Sequence, residues 1–449
     1  MGGNTLDMTK GSAWKLIVQF AVPVFLSQVF QQLYNTADAL IVGRFLGDEA
    51  LAAVSASGPL IFLLISFFTG LSMGAGVTIS RYFGAGDYDR VSKAIHTDVM
   101  LGLISGVILT VVGVWLTPTF LRWMGTAPEV LPDAIAYFRY YFIGVLAVVM
   151  YNMCKSIMNA LGDSKRPLYY LIISSLTNIV LDLLFIRTFG MGVRGAAIAT
   201  VIAQGISVVL CLIYIVTKAK ILLPEKRHFA LDRGLYADLL AQGFSMGFMS
   251  SIIYVGSIVL QPGINSLGYE TIAGHTAARK LFSFSMMPLS SMAQAVNTYV
   301  AQNRGADNWE RVRKGIRYAY IFCFSVTACL IVIVTPLAPT MVHLISGSSD
   351  PTVLGNGARY LRVAIPFFFA LGLVNCSRLA LQALGEKILP LLSSFIELFG
   401  KIIFAMVFIP RYHYSAVIWC EPIIWCFMAA ELVISLYRNP YMRKGKTGN

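Results

Sequence analysis

Charge is what this sequence has least of. Only 13% of its 449 residues are Asp, Glu, Lys or Arg, where soluble domains carry about 25%. With 57% hydrophobic residues and a mean hydropathy of +0.70, that scarcity excludes a soluble globular fold and points to an integral membrane protein. Acids are rarer than bases, 22 against 35, for a net charge of +13. The bases sit at the ends of apolar segments, which is a topology pattern and argues against nucleic-acid binding. Cys154, Cys211, Cys323, Cys329, Cys376, Cys420 and Cys426 make no CxxC or metal spacing and read as small buried hydrophobes. The five histidines form neither HExxH nor HxxxxD. A polytopic membrane enzyme, an acyltransferase for example, therefore lacks a histidine motif to rest on. No enzyme activity and no cofactor are expected. The opening MGGNTLDMTKGSAWK is polar before the first apolar run, so no cleavable signal peptide is expected.

Long apolar runs are what the chain has most of. A spanning helix needs about 20 apolar residues, and twelve such segments are expected: 14–43, 50–80, 93–117, 133–160, 167–187, 194–217, 236–265, 270–301, 312–336, 357–384, 388–409 and 415–437. The first is long for one crossing and contains Pro23, which predicts a tilt or a kink. Most basic residues gather on one side, while the other shows Arg44, Arg122, Arg187, Arg194 and Arg411. Both termini are accordingly expected in the cytoplasm of a multi-pass inner (plasma) membrane protein. The polar stretch TKAKILLPEKRHFALDRG (217–234) separates the two halves. The expected division is a lobe over 1–220, a cytoplasmic linker over 221–235 and a lobe over 236–449.

The halves repeat one another. FLGDEALAAVSA (45–56) aligns with SLGYETIAGHTA (266–277), Gly47 matching Gly268, 221 residues on. GAGDYDRVSKA (84–94) aligns with GADNWERVRKG (305–315) at the same offset, and NALGDSKRP (159–167) with QALGEKILP (382–390) at 223. Six spans per copy is an even number, so both copies start on the same side. The expected fold is all-α, twelve transmembrane helices as two six-helix lobes related by a parallel pseudo-twofold repeat.

Against that background the polar residues stand out. Gln31, Tyr34, Asn35 and Asp38 fall at i, i+3, i+4 and i+7, one stripe down one side of the first span. What architecture demands should recur in both copies, and the glycines do. Asp38 becomes Val259, Asp182 becomes Ala405, and Asn178 becomes Lys401. Asn178 and Asp182 share a face, and Asp38, Asp182 and Thr200 all reach the outer half of the bilayer by helical rise. An ionised carboxylate there costs at least about 3 kcal/mol unless paired, hydrated or protonated. Facing acids share a proton, and with an amide and a hydroxyl they offer oxygen ligands to a small hard cation. Asp38 as an interfacial cap, and Asn178 and Thr200 as interhelical hydrogen-bonding groups, are the structural alternatives. Glu397 and Lys401, one turn apart, read either as an internal ion pair or as cavity lining. Arg279 shares a face with His275 and reads either as a substrate contact or as a structural partner. Lys155 and its counterpart Arg378 are expected to snorkel toward the cytoplasmic edge.

These motifs, P-x14-D from Pro23 to Asp38, FLGDEALAAVS, N-x3-D at 178–182 and the six-plus-six repeat, resemble the multidrug and toxic compound extrusion family, in its DinF-like and MepA-like bacterial branch. The resemblance covers essentially the whole chain. It implies an efflux antiporter that exports cationic, amphipathic drugs or dyes in exchange for protons or sodium ions by alternating access. It implies a cation site of Asp38, Asn178, Asp182 and Thr200, which would hold a metal ion only with sodium coupling. The substrate cavity would be bordered by Gln31, Tyr34, Asn35, Asn152 and Arg279, with Pro23 as the hinge of the first helix. The partners expected are small-molecule drugs and the lipid bilayer, with no nucleic acid, and the chain is expected to be monomeric. The NorM-like branch carries an acid on the seventh helix; Ile253 stands there, which disfavours a sodium site of that kind. A lipid-linked oligosaccharide flippase of the same superfamily is the alternative, since Arg279, Arg378 and Lys401 offer charges for a pyrophosphate.

Overall fold

The computed structural model describes residues 6–123, 126, 128–218 and 232–443, with the side chains of 48–62 and of Lys218 excepted. Residues 219–231, which include most of the expected linker, Lys444, and the side chains of the FLGDEALAAVSA motif after Gly47 lie outside the described residues. Those described are helical almost throughout and include no strand.

The helices follow the hydropathy. α1 (Ala13–Gly84) holds the first two spans and breaks at Gly47 (φ 85, ψ −178). α2 (Tyr88–Trp123) is the third. α3 (Leu131–Ile143) and α4 (Val145–Ala160) form a fourth bent by 48°. α5 (Lys165–Asp182) passes into a π turn (Leu183–Thr188), and α6 (Val193–Lys218) follows. In the second copy stand α7 (Arg233–Asn265), α8 (Tyr269–Gly305), α9 (Trp309–Ser346) and the 55°-bent pair α10 (Pro351–Ala364) and α11 (Phe368–Ala383). α12 (Ile388–Ile403) passes into a second π turn (Phe404–Phe408), then α13 (Ile409–Arg438) and the short α14 (Pro440–Arg443).

Eight of these runs are long and apolar enough to cross a membrane, and ten if each bent pair is one span. α8 is too polar to count with them, and Ile388–Arg438 runs as one 51-residue stretch although His413 (φ 49, ψ −132) breaks it. Including α8 and dividing that stretch at His413 gives twelve. The polar groups of α8 are taken up internally: Asn297 Nδ2 donates to Leu379 O at 2.9 Å, and Gln302 Oε1 accepts from Met8 N at 2.9 Å.

The repeat is written into the backbone. Gly47 (φ 85) and Gly268 (φ 89) adopt the left-handed region at corresponding positions, as do Gly162 (φ 83) and Gly385 (φ 82). A Cβ makes that region costly, which is why glycine recurs there. Gly86 (φ 73) is matched by Asp307 (φ 54) and Gly190 (φ 61) by His413 (φ 49), so the turn recurs even where the residue does not. The π turns after α5 and α12 also correspond.

Two compact units divide the chain. One comprises Leu26–Gly247 with the residues up to Asp7, and the other Met8–Phe25 with Phe248–Asn449. This partition departs from a division at the 221–235 linker, for reasons visible inside each unit. In the first, Gly70 and Gly74 pack onto the start of α7, and Arg81 pairs with Asp238 at 2.5 Å. In the second, Arg311 donates to the carbonyls of Gly11 (2.6 Å) and Met8 (2.9 Å), and Trp14 rests on Tyr318 and Phe322. Both units are inside-out relative to soluble proteins. Trp115 (78% exposed) and Val111 (63%) point outward, whereas Asn178, Asp182 and Ser207 are sealed inside. Ser174 Oγ donates to Ala203 O at 2.8 Å, a hydrogen bond between spans where small residues let backbones approach.

That close approach is testable at Gly74. A Cβ there would lie 2.5 Å from Gly243 Cα and 2.6 Å from the Gln242 backbone. Gly74→Val should destabilise the first unit by about 1–3 kcal/mol through overpacking. Gly205→Ala, whose Cβ meets nothing within 4 Å, should leave stability unchanged. Thermal melting of the purified proteins reads both.

Candidate functional site

Three spans of the first unit converge on one cluster of oxygens. α1 presents Tyr34 and Asp38, one turn apart; α5 presents Asn178 and Asp182, also one turn apart; α6 presents Thr200. Asn178 and Asp182 are fully buried, Asp38, Tyr34 and Thr200 half-buried. Asp182 is the last residue of α5 before the backbone widens into the π turn, an irregularity frequent at functional sites.

The Asp38 and Asp182 carboxyls lie within hydrogen-bonding reach of each other. The Asn178 amide is oriented with Nδ2 donating to Asp182 Oδ2 at 2.8 Å and Oδ1 accepting from the Thr200 N–H at 3.1 Å. Turned the other way, it would set its oxygen against the carboxylate and keep only a 3.4 Å contact from Nδ2 to Thr200 Oγ1. Thr200 Oγ1 donates to Ala196 O at 3.1 Å and lies 3.5 Å from Tyr34 Oη. Asp38 Oδ1 and Asp182 Oδ1 are buried with no donor, and among the described residues no ion pair reaches either acid. The cluster thus holds more acceptors than donors. A shared proton or a small cation bridging the two carboxyls would supply what is missing. Among the described residues no three His, Cys, Asp or Glu side chains group as a metal site.

The other sequence-selected residues do not join this cluster through any direct bond. Gln31 Nε2 donates to Asn35 Oδ1 at 3.2 Å along the same helix, and Asn35 is exposed. Asn152 Nδ2 donates back to Val148 O at 2.9 Å. Pro23 is buried in the second unit, and α1 keeps helical dihedrals through it, departing only at Gly47. Arg279 is also in the second unit, where Nη1 donates to Tyr360 Oη at 2.9 Å and to Glu421 Oε2 at 2.6 Å. Arg378 corrects the snorkelling expectation. It is 5% exposed, donates to Ser393 Oγ at 3.0 Å and stands 3.8 Å from Glu397, because an acid on the next span holds it inside.

Two tyrosines escaped the sequence reading. Tyr137 is buried on α3 near Asp38, Tyr34 and Asp182, and its ring stacks on Tyr141 (6.4 Å, 24°). Their i, i+4 spacing in the tract AYFRYYF was the available signal.

Comparison with known proteins agrees with this architecture. The MatE family model matches twice, over residues 23–184 and 246–407. The chain is 28% identical over 403 residues to the probable multidrug resistance protein YoeA of Bacillus subtilis, covering 88% of this chain and 87% of that one. It is 23% identical to the multidrug export protein MepA of Staphylococcus saprophyticus, covering 96% and 95%. A solved outward-facing multidrug resistance MATE transporter of the MOP superfamily superposes with a TM-score of 0.89 at 25% identity, covering 97% and 98%.

Asn178 is the residue whose loss the geometry makes easiest to read. Asn178→Leu removes the donor to Asp182 Oδ2 at similar volume and leaves that oxygen unpaired, which should cost about 1–3 kcal/mol. A melting temperature equal to that of the unaltered protein would contradict the assigned amide orientation.

Proposed function

Because the chain belongs to the MatE family, and is thus a membrane transporter rather than an enzyme, we propose that it exports cationic amphipathic compounds in exchange for an ion held at Asp38 and Asp182. Its relatives are named for multidrug resistance and multidrug export, which supports small-molecule drugs as the cargo. The observation that carries the reading is the pair of facing carboxyls with orphaned oxygens, present in the first copy and replaced by Val259 and Ala405 in the second. Asn178 orients Asp182; Thr200 and Tyr34 complete the oxygen set. Proton and sodium ion are alternative occupants of the same ligands. Coupling follows by linkage: ion and drug each favour a different conformation, and the ion shifts the balance only by its differential affinity for the two. The membrane potential adds about 2.3 kcal/mol per charge per 100 mV.

The flippase alternative weakens on geometry. Its cations lie close to acids: Arg279 to Glu421 at 2.6 Å, Lys401 to Glu397 at 3.0 Å and Arg378 to Glu397 at 3.8 Å. A pyrophosphate would have to displace carboxylates already in place. The basic residues at segment ends support an inner-membrane protein with both termini in the cytoplasm.

Drug efflux from energised inverted vesicles tests the proposal. Asp38→Asn and Asp182→Asn should each reduce coupled transport at least about tenfold, equivalent to removing about 1.4 kcal/mol of coupling. Undiminished transport in both would end the proposal. Collapsing the pH gradient and the sodium gradient separately identifies the ion, since only one should stop efflux.

A further inference from the structure

The second unit meets the same physical demand by another route. Position 401 corresponds to position 178, and the offset of 223 residues also separates the two family-model matches. Where the first copy has an amide, the second has Lys401, a residue 2% exposed. Oxygens from three different spans surround its Nζ. Glu397 Oε1 accepts at 3.0 Å from one turn earlier on α12, Ser257 Oγ at 3.4 Å from α7, and Glu421 Oε1 faces it at 3.7 Å from α13. The π turn that follows α12 begins three residues later, as the one after α5 begins shortly after Asn178 and Asp182.

The remaining oxygens of these acids are also engaged. Glu421 Oε2 accepts from Arg279 at 2.6 Å and from Tyr360 Oη at 3.1 Å. Glu397 Oε2 faces Arg378 Nη2 at 3.8 Å. The contrast with the first unit is sharp: there two acids face each other with orphaned oxygens, and here two acids face an ammonium covalently attached to the fold. A buried carboxylate needs a counter-charge wherever it is, and Lys401 is one that cannot dissociate.

We propose that Lys401 is a tethered cation, its ammonium permanently filling an oxygen cage of the kind that the first unit leaves to an exchangeable ion. This rests on reading the first unit as a cation site. The second unit then carries fixed internal charge and exchanges no ion, so that each chain has one exchangeable site. Removing the ammonium converts the cage into a site for a free monovalent cation, sodium or lithium, with Glu397, Glu421 and Ser257 as its ligands.

The experiment is done in an Asp38→Asn background, where the first-unit acid pair is broken, so the two readings fail separately. Melting temperatures are compared in sodium chloride and in choline chloride of equal ionic strength. Asp38→Asn alone should show no difference between the salts. Asp38→Asn/Lys401→Asn should melt roughly 3 °C or more higher in sodium, and adding Glu397→Gln should erase that shift. A Lys401→Asn protein indifferent to sodium and lithium, or a sodium response while Lys401 is present, overturns the proposal. If Lys401→Asn is not recovered folded in choline, extraction in sodium or lithium is the second measurement. Recovery of a monodisperse protein only in those salts supports the tethered cation, and equal loss in all three overturns it.

Discussion

An ionised carboxylate inside a bilayer costs at least about 3 kcal/mol unless a proton, a cation or a donor meets it. Asp38, Asp182, Glu397 and Glu421 face that constraint, and the two units resolve it differently. In the first, Asp38 and Asp182 face each other, with Asn178 as the nearest donor to one of them. In the second, Glu397 and Glu421 are held by Lys401, Arg279 and Arg378. An acid pair short of donors has to take something from outside. Acids surrounded by fixed cations do not, and that difference is the physical basis of the asymmetry between the lobes.

The asymmetry is set on a frame that is symmetric in some detail. Left-handed turns recur at Gly47 and Gly268, at Gly162 and Gly385, and even where glycine gives way to Asp307 or His413. Both fifth and eleventh spans end in a π turn. The π turn therefore belongs to the architecture, and the chemistry placed beside it differs between copies. As proposed, a duplicated fold that keeps its turns while exchanging its buried polar residues holds one lobe fixed in charge while the other binds and releases an ion.

Packing allows this because the interiors are built from small residues. Gly70 and Gly74 bring the second span against the start of α7, while Ala196, Ala197, Ala199 and Ala203 line the buried side of α6. Lipid offers no hydrophobic drive between helices, so close van der Waals contact and hydrogen bonds such as Ser174 to Ala203 hold the units together. Thr200 belongs to that small-residue face. Its hydroxyl donates to Ala196 O at 3.1 Å and lies 3.5 Å from Tyr34 Oη.

What the amino-acid sequence determined by itself was the class of protein, the twelve helices, the repeat and the identity of the acids that do not recur. A bilayer demands about 20 apolar residues per crossing, so interruptions such as Asp38 and Asp182 are conspicuous in a one-dimensional reading. It could not say which side chains meet. Arg378 reads as a snorkelling residue in the sequence, yet Glu397 on the next span holds it, and Tyr137 near the acid pair is not singled out there at all. Only the tertiary structure decided these, because they depend on the rotation of each helix about its own axis. Where lipid-facing and protein-facing sides are both apolar, hydropathy carries little record of that rotation, and long-range contacts between polar groups settle it instead.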